Sequence, residues 1–298
     1  MAYVETLTAE AAFQRYEDLR ERFPVASFPE KSTDCAGLVE IADQVDAFVL
    51  DSFGVLNVGD RAIPGARDCI EKLRAMGKQL IVLTNAASYP LSVALDKYHR
   101  LGFDFTAEEV VSSRDVAAAH LGALVPTGRW GAVAAADDRF EDLPADVRHW
   151  DGDHVDGFLL LSSAEITPGL IERLKAALRD RVTPIAVANP DLVAPRESGL
   201  SKEPGYFAHL LADELGVLPT FFGKPFGNAF EEAFLRLGGP RPERIAMVGD
   251  TLHTDILGGR SVGAKTVLVR NYGLFAGADV DGYITRSGIV PDFQCGGI

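Results

Sequence analysis

Three short runs of unbroken apolar residues constrain the fold of this chain most. Ala47-Phe48-Val49-Leu50 runs into Asp51, Leu80-Ile81-Val82-Leu83 into Thr84 and Asn85, and Ile245 to Val248 into Gly249 and Asp250. Strands that are apolar on both faces belong to parallel sheets covered by helices. Between the first two runs lies IPGARDCIEKLRAMGK, with Pro64 at a first-turn position, Ile70, Leu73 and Met76 at helical spacing, and Gly77 as a stop. Strand, helix and strand of these lengths make a right-handed crossover, so the residues closing each run emerge at one edge of the sheet. In open α/β sheets that edge is where ligands bind. Asp51 is therefore the first candidate for chemistry. The turn after it, Ser52-Phe53-Gly54 with Asn57 and Gly59, is tight and permissive. An Asp that merely caps a turn looks the same in isolation, so the assignment needs the other strand ends.

Further along, residues 90 to 104 read as a helix, 108 to 113 as a short strand, and DVAAAHL as a helix ending near Gly122. There the texture changes. GRWGAVAAADD, DGFLLLSS (156 to 163), TPGLIERLKAALRD and TPIAVANPD form a second set of strands and helices able to close its own small core. The expected organisation is an α/β chain: a Rossmann-like parallel-sheet core from residues 1–121 and 220–298, with a smaller α/β cap, 122–219, inserted in it. Residues 1–45 read as a helical appendage, with Thr8 and Glu10 opening an amphipathic helix that ends near Pro24, and carry no assigned chemistry.

Charge narrows the partners. The 43 acidic and 29 basic residues leave a formal charge of −14, which argues against nucleic acid and anionic membranes, since both demand Lys/Arg patches. A small anionic substrate needs only one locally positive pocket. Cys35, Cys69 and Cys295 are far apart, odd in number and without a CxxC pair, so they read as free thiols in a reducing cytosol. The start MAYVETLTAEAAF has no basic segment followed by an apolar core, and no run approaches the roughly 20 apolar residues of a membrane span. The expected location is the cytoplasm.

The strand ends and adjoining turns together offer Asp51, Thr84 and Asn85, Lys224, and Asp250 with Asp255 a short turn away. Carboxylates gathered at one edge repel one another and need a hard divalent cation to coexist. Magnesium suits this set, because it takes a few carboxylates together with a substrate phosphate. Lys224 and Thr84 then hold the remaining phosphoryl oxygens, and one carboxylate attacks phosphorus to give an aspartyl-phosphate.

The ordered motifs DSFGVL (51 to 56), PGA (64 to 66), TN (84 to 85), NPD (189 to 191), GKP (223 to 225) and GDTLHTD (249 to 255) resemble the haloacid dehalogenase superfamily. The likeness covers about 45 to 298 and points to its phosphatase branch with a type-IIA cap, which includes nitrophenylphosphatase, pyridoxal-phosphatase and phosphoglycolate-phosphatase-like proteins. The resemblance implies that Asp51 is the nucleophile and a metal ligand, and that the residue two later, Phe53, binds Mg2+ through its backbone carbonyl. It implies that Thr84, with Asn85, binds phosphate, that Lys224 neutralises nucleophile and phosphate, and that Asp250 is the direct metal ligand with Asp255 supporting it. Asn189 and Asp191, followed by Leu192 to Gly199 with Glu197, match the cap segment that meets substrate. Caps of this kind often pair two chains, so a homodimer through the cap is a further expectation. The implied activity is magnesium-dependent hydrolysis of a small phosphorylated metabolite, a sugar or polyol phosphate.

One position departs from the pattern. The family usually has a second Asp where this chain has Phe53, and that Asp protonates the leaving oxygen and later activates water. General acid–base help is worth about 10²–10⁴-fold. Three readings follow: substrates whose leaving groups need little protonation; a stand-in acid among His154, Asp191, Glu197 and His253; or a weakly catalytic protein that binds a phosphorylated ligand. An aromatic residue two after the nucleophile also resembles the haloacid dehalogenases themselves, but those work without metal and would leave the GD…D carboxylates purposeless. A phosphonate-cleaving site would need a cap lysine, for which Lys202 is the candidate; a solvated surface lysine is its simpler role. Asp137-Asp138 reads as a solvated turn, and NYGLFAG, from Asn271, as a loop without a role.

Overall fold

The computed structural model describes residues 7–196 and 199–298, with Arg196 described by its backbone alone. Its contacts divide the chain into two units. One comprises Ala9–Thr84, Leu91–Val111 and Lys224–Ile298; the other is built mainly of Asn85–Pro90 and Ser112–Gly223.

The first unit carries a seven-stranded sheet in the order Thr33–Asp34, Phe293–Cys295, Lys265–Val269, Ile245–Gly249, Ala47–Leu50, Gln79–Thr84, Val110–Ser112. Pairing is parallel from Thr33–Asp34 through Gln79–Thr84. Leu50 stands opposite both Val248 and Val82. That register sets Asp51 level with the ends of its two neighbours. All four residues of Ala47–Leu50 are buried, as expected of a strand covered on both faces. Helix Ala66–Ala75 buries Ala66, Cys69, Ile70 and Leu73, one stripe at helical spacing, and Gly77 ends it at φ +73°. Met76, expected in that stripe, is instead exposed. A small antiparallel hairpin, Asn57–Val58 with Arg61–Ala62, follows the Asp51 turn.

The second unit has its own five-stranded sheet, ordered Thr220–Phe221, Ile185–Val187, Gly157–Leu160, Arg129–Val133, Asp146–His149, with every pairing parallel. Helices Pro168–Asp180 and Pro204–Leu215 supply Ile171, Leu174, Leu178, Phe207 and Leu211 to a core shared with Phe158, Leu160 and Val187. A two-stranded hairpin, Val193–Arg196 with Gly199–Lys202, leaves this sheet. The strand Asp146–His149 escapes sequence reading because it is polar and mostly exposed, an edge whose pairing is made by its neighbour.

Two expectations for this unit need correction. Asp138 is no solvated turn residue: its carboxylate takes two hydrogen bonds from the fully buried Arg114 guanidinium, at 2.6 and 2.9 Å. Arg114 gives two more to Asp142 and one to the Ala87 carbonyl. Asp137 beside it is exposed. Lys202 is likewise buried, its ammonium 4.8 Å from the Tyr206 ring centroid. A long aliphatic stem and a cation over an aromatic face explain how a lysine is tolerated there.

Among the described residues no helix is long and apolar enough to cross a membrane. The three cysteines are free thiols.

Candidate active site

Asp51, Thr84, Lys224, Asp250 and Asp255 all belong to the first unit, and the parallel sheet explains why. Asp51 and Asp250 leave adjacent strands at the same edge, and Asp255 follows on a single π-helical turn, Leu252–Ile256. One oxygen each of Asp51, Asp250 and Asp255 lies within 4.8 Å of the other two. The Lys224 ammonium sits among them, 2.7 Å from Asp51 Oδ1 and 2.8 Å from Asp255 Oδ1, with its side chain 2 % exposed.

Each carboxylate is aimed by a backbone amide. Asp51 Oδ1 also accepts from the Ser52 N–H at 2.7 Å, and Asp255 Oδ2 accepts from the Thr251 N–H at 3.0 Å. Asp250 Oδ2 accepts from the Leu274 N–H at 2.6 Å. Asp255 is thereby held through both oxygens. Asp51 Oδ2 and Asp250 Oδ1 have no protein donor among the described residues.

Two glycines make room for this arrangement. A Cβ on Gly54, at φ +78°, would lie 2.7 Å from Asp250 Cγ, and one on Gly273, at φ +83°, would lie 1.8 Å from Asp250 Oδ2. Both positions need a left-handed backbone and close approach to Asp250. The Asn271 loop, to which the sequence reading gave no role, thus holds Asp250 through Gly273 and Leu274. Its only signal was a glycine in the turn after the strand Lys265–Val269, at the catalytic edge.

The electrostatics follow from burial and crowding. Burial, then the charges of Asp255 and Asp51, push the Asp250 carboxyl well above the usual carboxylate range, against the pull of the Leu274 amide. Burial pushes Asp255 up to about 6, although Lys224 pulls it the other way. Burial alone would lower the Lys224 ammonium; the Asp255 and Asp51 carboxylates outweigh it and hold the lysine above its ordinary value. Three ionised carboxylates facing one ammonium leave two negative charges uncompensated. A divalent cation would supply the missing charge, and the Asp51 carboxylate together with the free Oδ1 of Asp250 are hard oxygen donors of the kind Mg2+ takes. The residues fit the group.

Phe53 lies at the turn, half-buried and bridged to Asn57. Ser52 Oγ donates to Asn57 Oδ1 at 2.9 Å, which closes that turn on itself. His253, one of the expected stand-in acids, is excluded by its surroundings: it is 0 % exposed and its Nε2 faces Glu17 Oε1 at 2.5 Å. Lys97, on helix Leu91–Arg100, was not foreseen. Burial lowers its ammonium below the ordinary value while the charges of Asp60 and Asp51 act to raise it.

The remaining expected residues lie in the second unit. Asn85 Nδ2 donates to Asp191 Oδ1 at 2.8 Å, the Asp191 N–H donates to Asn189 Oδ1 at 3.0 Å, and Asn189 Nδ2 donates to Glu203 Oε2 at 3.3 Å. Ser201 Oγ donates to the other Glu203 oxygen at 2.6 Å. The NPD turn is therefore part of a chain of polar side chains running to the start of helix Pro204–Leu215. His154 is exposed and pairs with Arg181. Glu197 lies outside the described residues.

The model of the haloacid dehalogenase-like hydrolases matches residues 48–141, and a second model of haloacid dehalogenase-like hydrolases matches 221–294. Those two stretches contain the Asp51, Thr84, Lys224, Asp250 and Asp255 positions. The chain belongs to the haloacid dehalogenase superfamily, in the phosphatase branch with a type-IIA cap. It is 27 % identical over 227 residues to the acid sugar phosphatase of Staphylococcus aureus, covering 76 % of this chain and 87 % of that protein. Its fold matches a possible sugar phosphatase of Cytophaga hutchinsonii with a TM-score of 0.78 at 27 % identity, over 89 % of this chain and 98 % of the other. A glycerol phosphate phosphatase of Mycobacterium tuberculosis, solved in complex with magnesium, matches with a TM-score of 0.65 at 27 % identity, over 78 % of this chain and 70 % of that one.

Proposed function

We propose that this chain is a magnesium-dependent phosphatase of small phosphorylated metabolites, sugar or polyol phosphates, working through an aspartyl-phosphate on Asp51. The observation that carries the reading is Lys224, buried between Asp51 and Asp255 with Asp250 alongside. A lysine in that place keeps one Asp51 oxygen engaged and leaves the other oxygen as the nucleophile. The relatives named above, with sugar phosphates and glycerol phosphate in their names, support the substrate class.

Asp51, the Phe53 carbonyl and Asp250 would hold Mg2+, with Asp255 behind them, and the cation lowers the charge barrier to attack on an anionic phosphate. Asp51 Oδ2 attacks phosphorus in line, the bond to the ester oxygen breaks, and the leaving alkoxide is protonated from water. Water then attacks the aspartyl-phosphate, releasing inorganic phosphate and restoring the carboxylate. Lys224 offsets the nucleophile's charge and the phosphate's, while Thr84 and Asn85 hold phosphoryl oxygens. Substrate recognition is assigned to Asn189, Asp191 and Glu197. A cytoplasmic location and pairing of two chains through the cap are part of the same proposal.

Phe53 specifically favours a second reading, a phosphate-ligand-binding protein with little turnover, since a phenyl ring neither gives nor takes a proton. Phosphate release from a panel of sugar, polyol and nitrophenyl phosphates, with and without MgCl2, separates the two. Mg2+-dependent turnover that Asp51→Asn removes supports the phosphatase. Absence of turnover, with ligand and Mg2+ still raising the melting temperature, supports the binding protein.

A further inference from the structure

The N-terminal helix Ala9–Asp18 precedes both stretches matched by the family models, yet it reaches the catalytic turn. Its contact is His253, the second residue of the π-helical turn Leu252–Ile256. That ring stacks on Tyr16, with centroids 4.8 Å apart and planes inclined 12°, and meets the edge of Phe13 at 5.6 Å. Among the described residues its Nε2 is 2.5 Å from Glu17 Oε1, while its buried Nδ1 has no partner. Glu17 therefore supplies the ring's one polar tie. Residues two apart on a helical turn face away from each other. His253 accordingly points to the N-terminal helix while Asp255, two residues on, points to Lys224. The turn itself is wide: the Ile256 N–H reaches back to the Thr251 carbonyl at 3.3 Å, a five-residue closure. Wide turns of this kind are uncommon, occur mostly as single turns within helices, and are frequent at functional sites.

We infer that the N-terminal helix is a positioning element of the active site: Glu17 and Tyr16 clamp His253, and through the π-helical turn they fix Asp255, and with it Lys224, in the cation-binding arrangement. This rests on the cation site proposed above. The helix has a second anchor that does not touch the turn. Arg286 donates to both oxygens of Glu10, at 2.9 and 2.6 Å, and lies over the Phe13 ring. Glu10→Gln weakens this anchor and leaves the Glu17–His253 pair itself in place, so it serves as the control.

The test is Mn2+ binding to the full chain, followed by electron paramagnetic resonance of the free ion, which requires no turnover. Glu17→Ala is expected to weaken Mn2+ binding about tenfold, the effect of one lost hydrogen bond to a charged group. Glu17→Gln, which can still bond the imidazole, stays within about twofold of the natural protein, and so does Glu10→Gln. Wild-type affinity in Glu17→Ala overturns the inference, and so does an equal loss in Glu10→Gln, which would reduce the helix to a general tether. Should Glu17→Ala not fold, Tyr16→Leu is titrated instead. It keeps apolar bulk but removes the stacked ring, and unchanged affinity there overturns the inference too. If the natural protein itself binds no Mn2+, the cation site is refuted and the positioning role falls with it. If the natural protein binds and the variants do not differ, only the positioning role falls.

Discussion

Lys224 and Asp51 come from opposite ends of the chain's core, yet their charged atoms lie 2.7 Å apart in a place where the lysine is 2 % exposed. A buried ammonium is costly unless it is paired, and here it is paired twice, with Asp51 and with Asp255. The pair thus matters to folding as well as to chemistry.

Replacing Lys224 with Met leaves three carboxylates facing each other. The expected loss of stability is about 3–5 kcal/mol near neutral pH, the cost of breaking a buried pair by removing one partner. Urea unfolding at pH 7 and at pH 5 checks this: the loss shrinks at pH 5, where the carboxyls take up protons, and activity is absent at both.

Cation binding should depend on pH with a definite sign. Asp255 sits at about 6 in the fold against an ordinary 3.8, and Asp250 is raised as well. A carboxyl raised on folding contributes stability that is fully present below its unfolded value and lost as pH rises through the folded one. The metal-free protein therefore loses this contribution between about pH 4 and pH 6 and above. Mg2+ replaces the protons, so its effect on the melting temperature grows over the same window. A rise of about 5 °C at saturating Mg2+ is expected at pH 7.5, and much less at pH 5. Differential scanning fluorimetry reads both; an equal or larger shift at pH 5 would refute the assignment.

Phe53→Asp restores the acid at the position where the family carries one. Turnover of alkyl phosphates, whose leaving oxygens need a proton, should rise by up to about 10²-fold, while nitrophenyl phosphate gains little. Comparing kcat/KM for the two substrate types checks it. Equal gains on both would show that Phe53 is not limiting through proton transfer.

Arg114 organises the second unit as Lys224 organises the first. Its guanidinium is fully buried against Asp138, Asp142 and the Ala87 carbonyl. Arg114→Met is expected to cost about 3–5 kcal/mol in that unit. The chain has two tryptophans, Trp130 and Trp150, both in this unit. Intrinsic fluorescence during urea unfolding therefore reports it selectively, and an unchanged midpoint would contradict the role.

Much of this was legible from residue order. Unbroken apolar runs ending in Asp51, Thr84 and Asp250 mark buried parallel strands, and a parallel sheet necessarily gathers its strand ends at one edge. Lys224 was legible only through the GKP motif, since no periodicity distinguishes it from a surface lysine. What stayed hidden was set by long-range contact. The Leu274 amide is a backbone group and leaves no residue signature. Arg114 and Asp138 lie 24 positions apart, and nothing local marks them as partners. Glu17 and His253 are separated by 236 positions, so the N-terminal helix read as an appendage. Lys202 looked solvated because its burial comes from the fold around it, and its seat over the Tyr206 ring four positions on leaves no periodicity to read.

Rapid-quench mass spectrometry during turnover of a sugar phosphate with Mg2+ tests the nucleophile most directly. A phosphoryl group on the peptide bearing Asp51, appearing within the first turnover, decaying once substrate is spent and absent from Asp51→Asn, is the predicted result. Steady release of phosphate with no adduct on that peptide, or with the adduct on another residue, would contradict it.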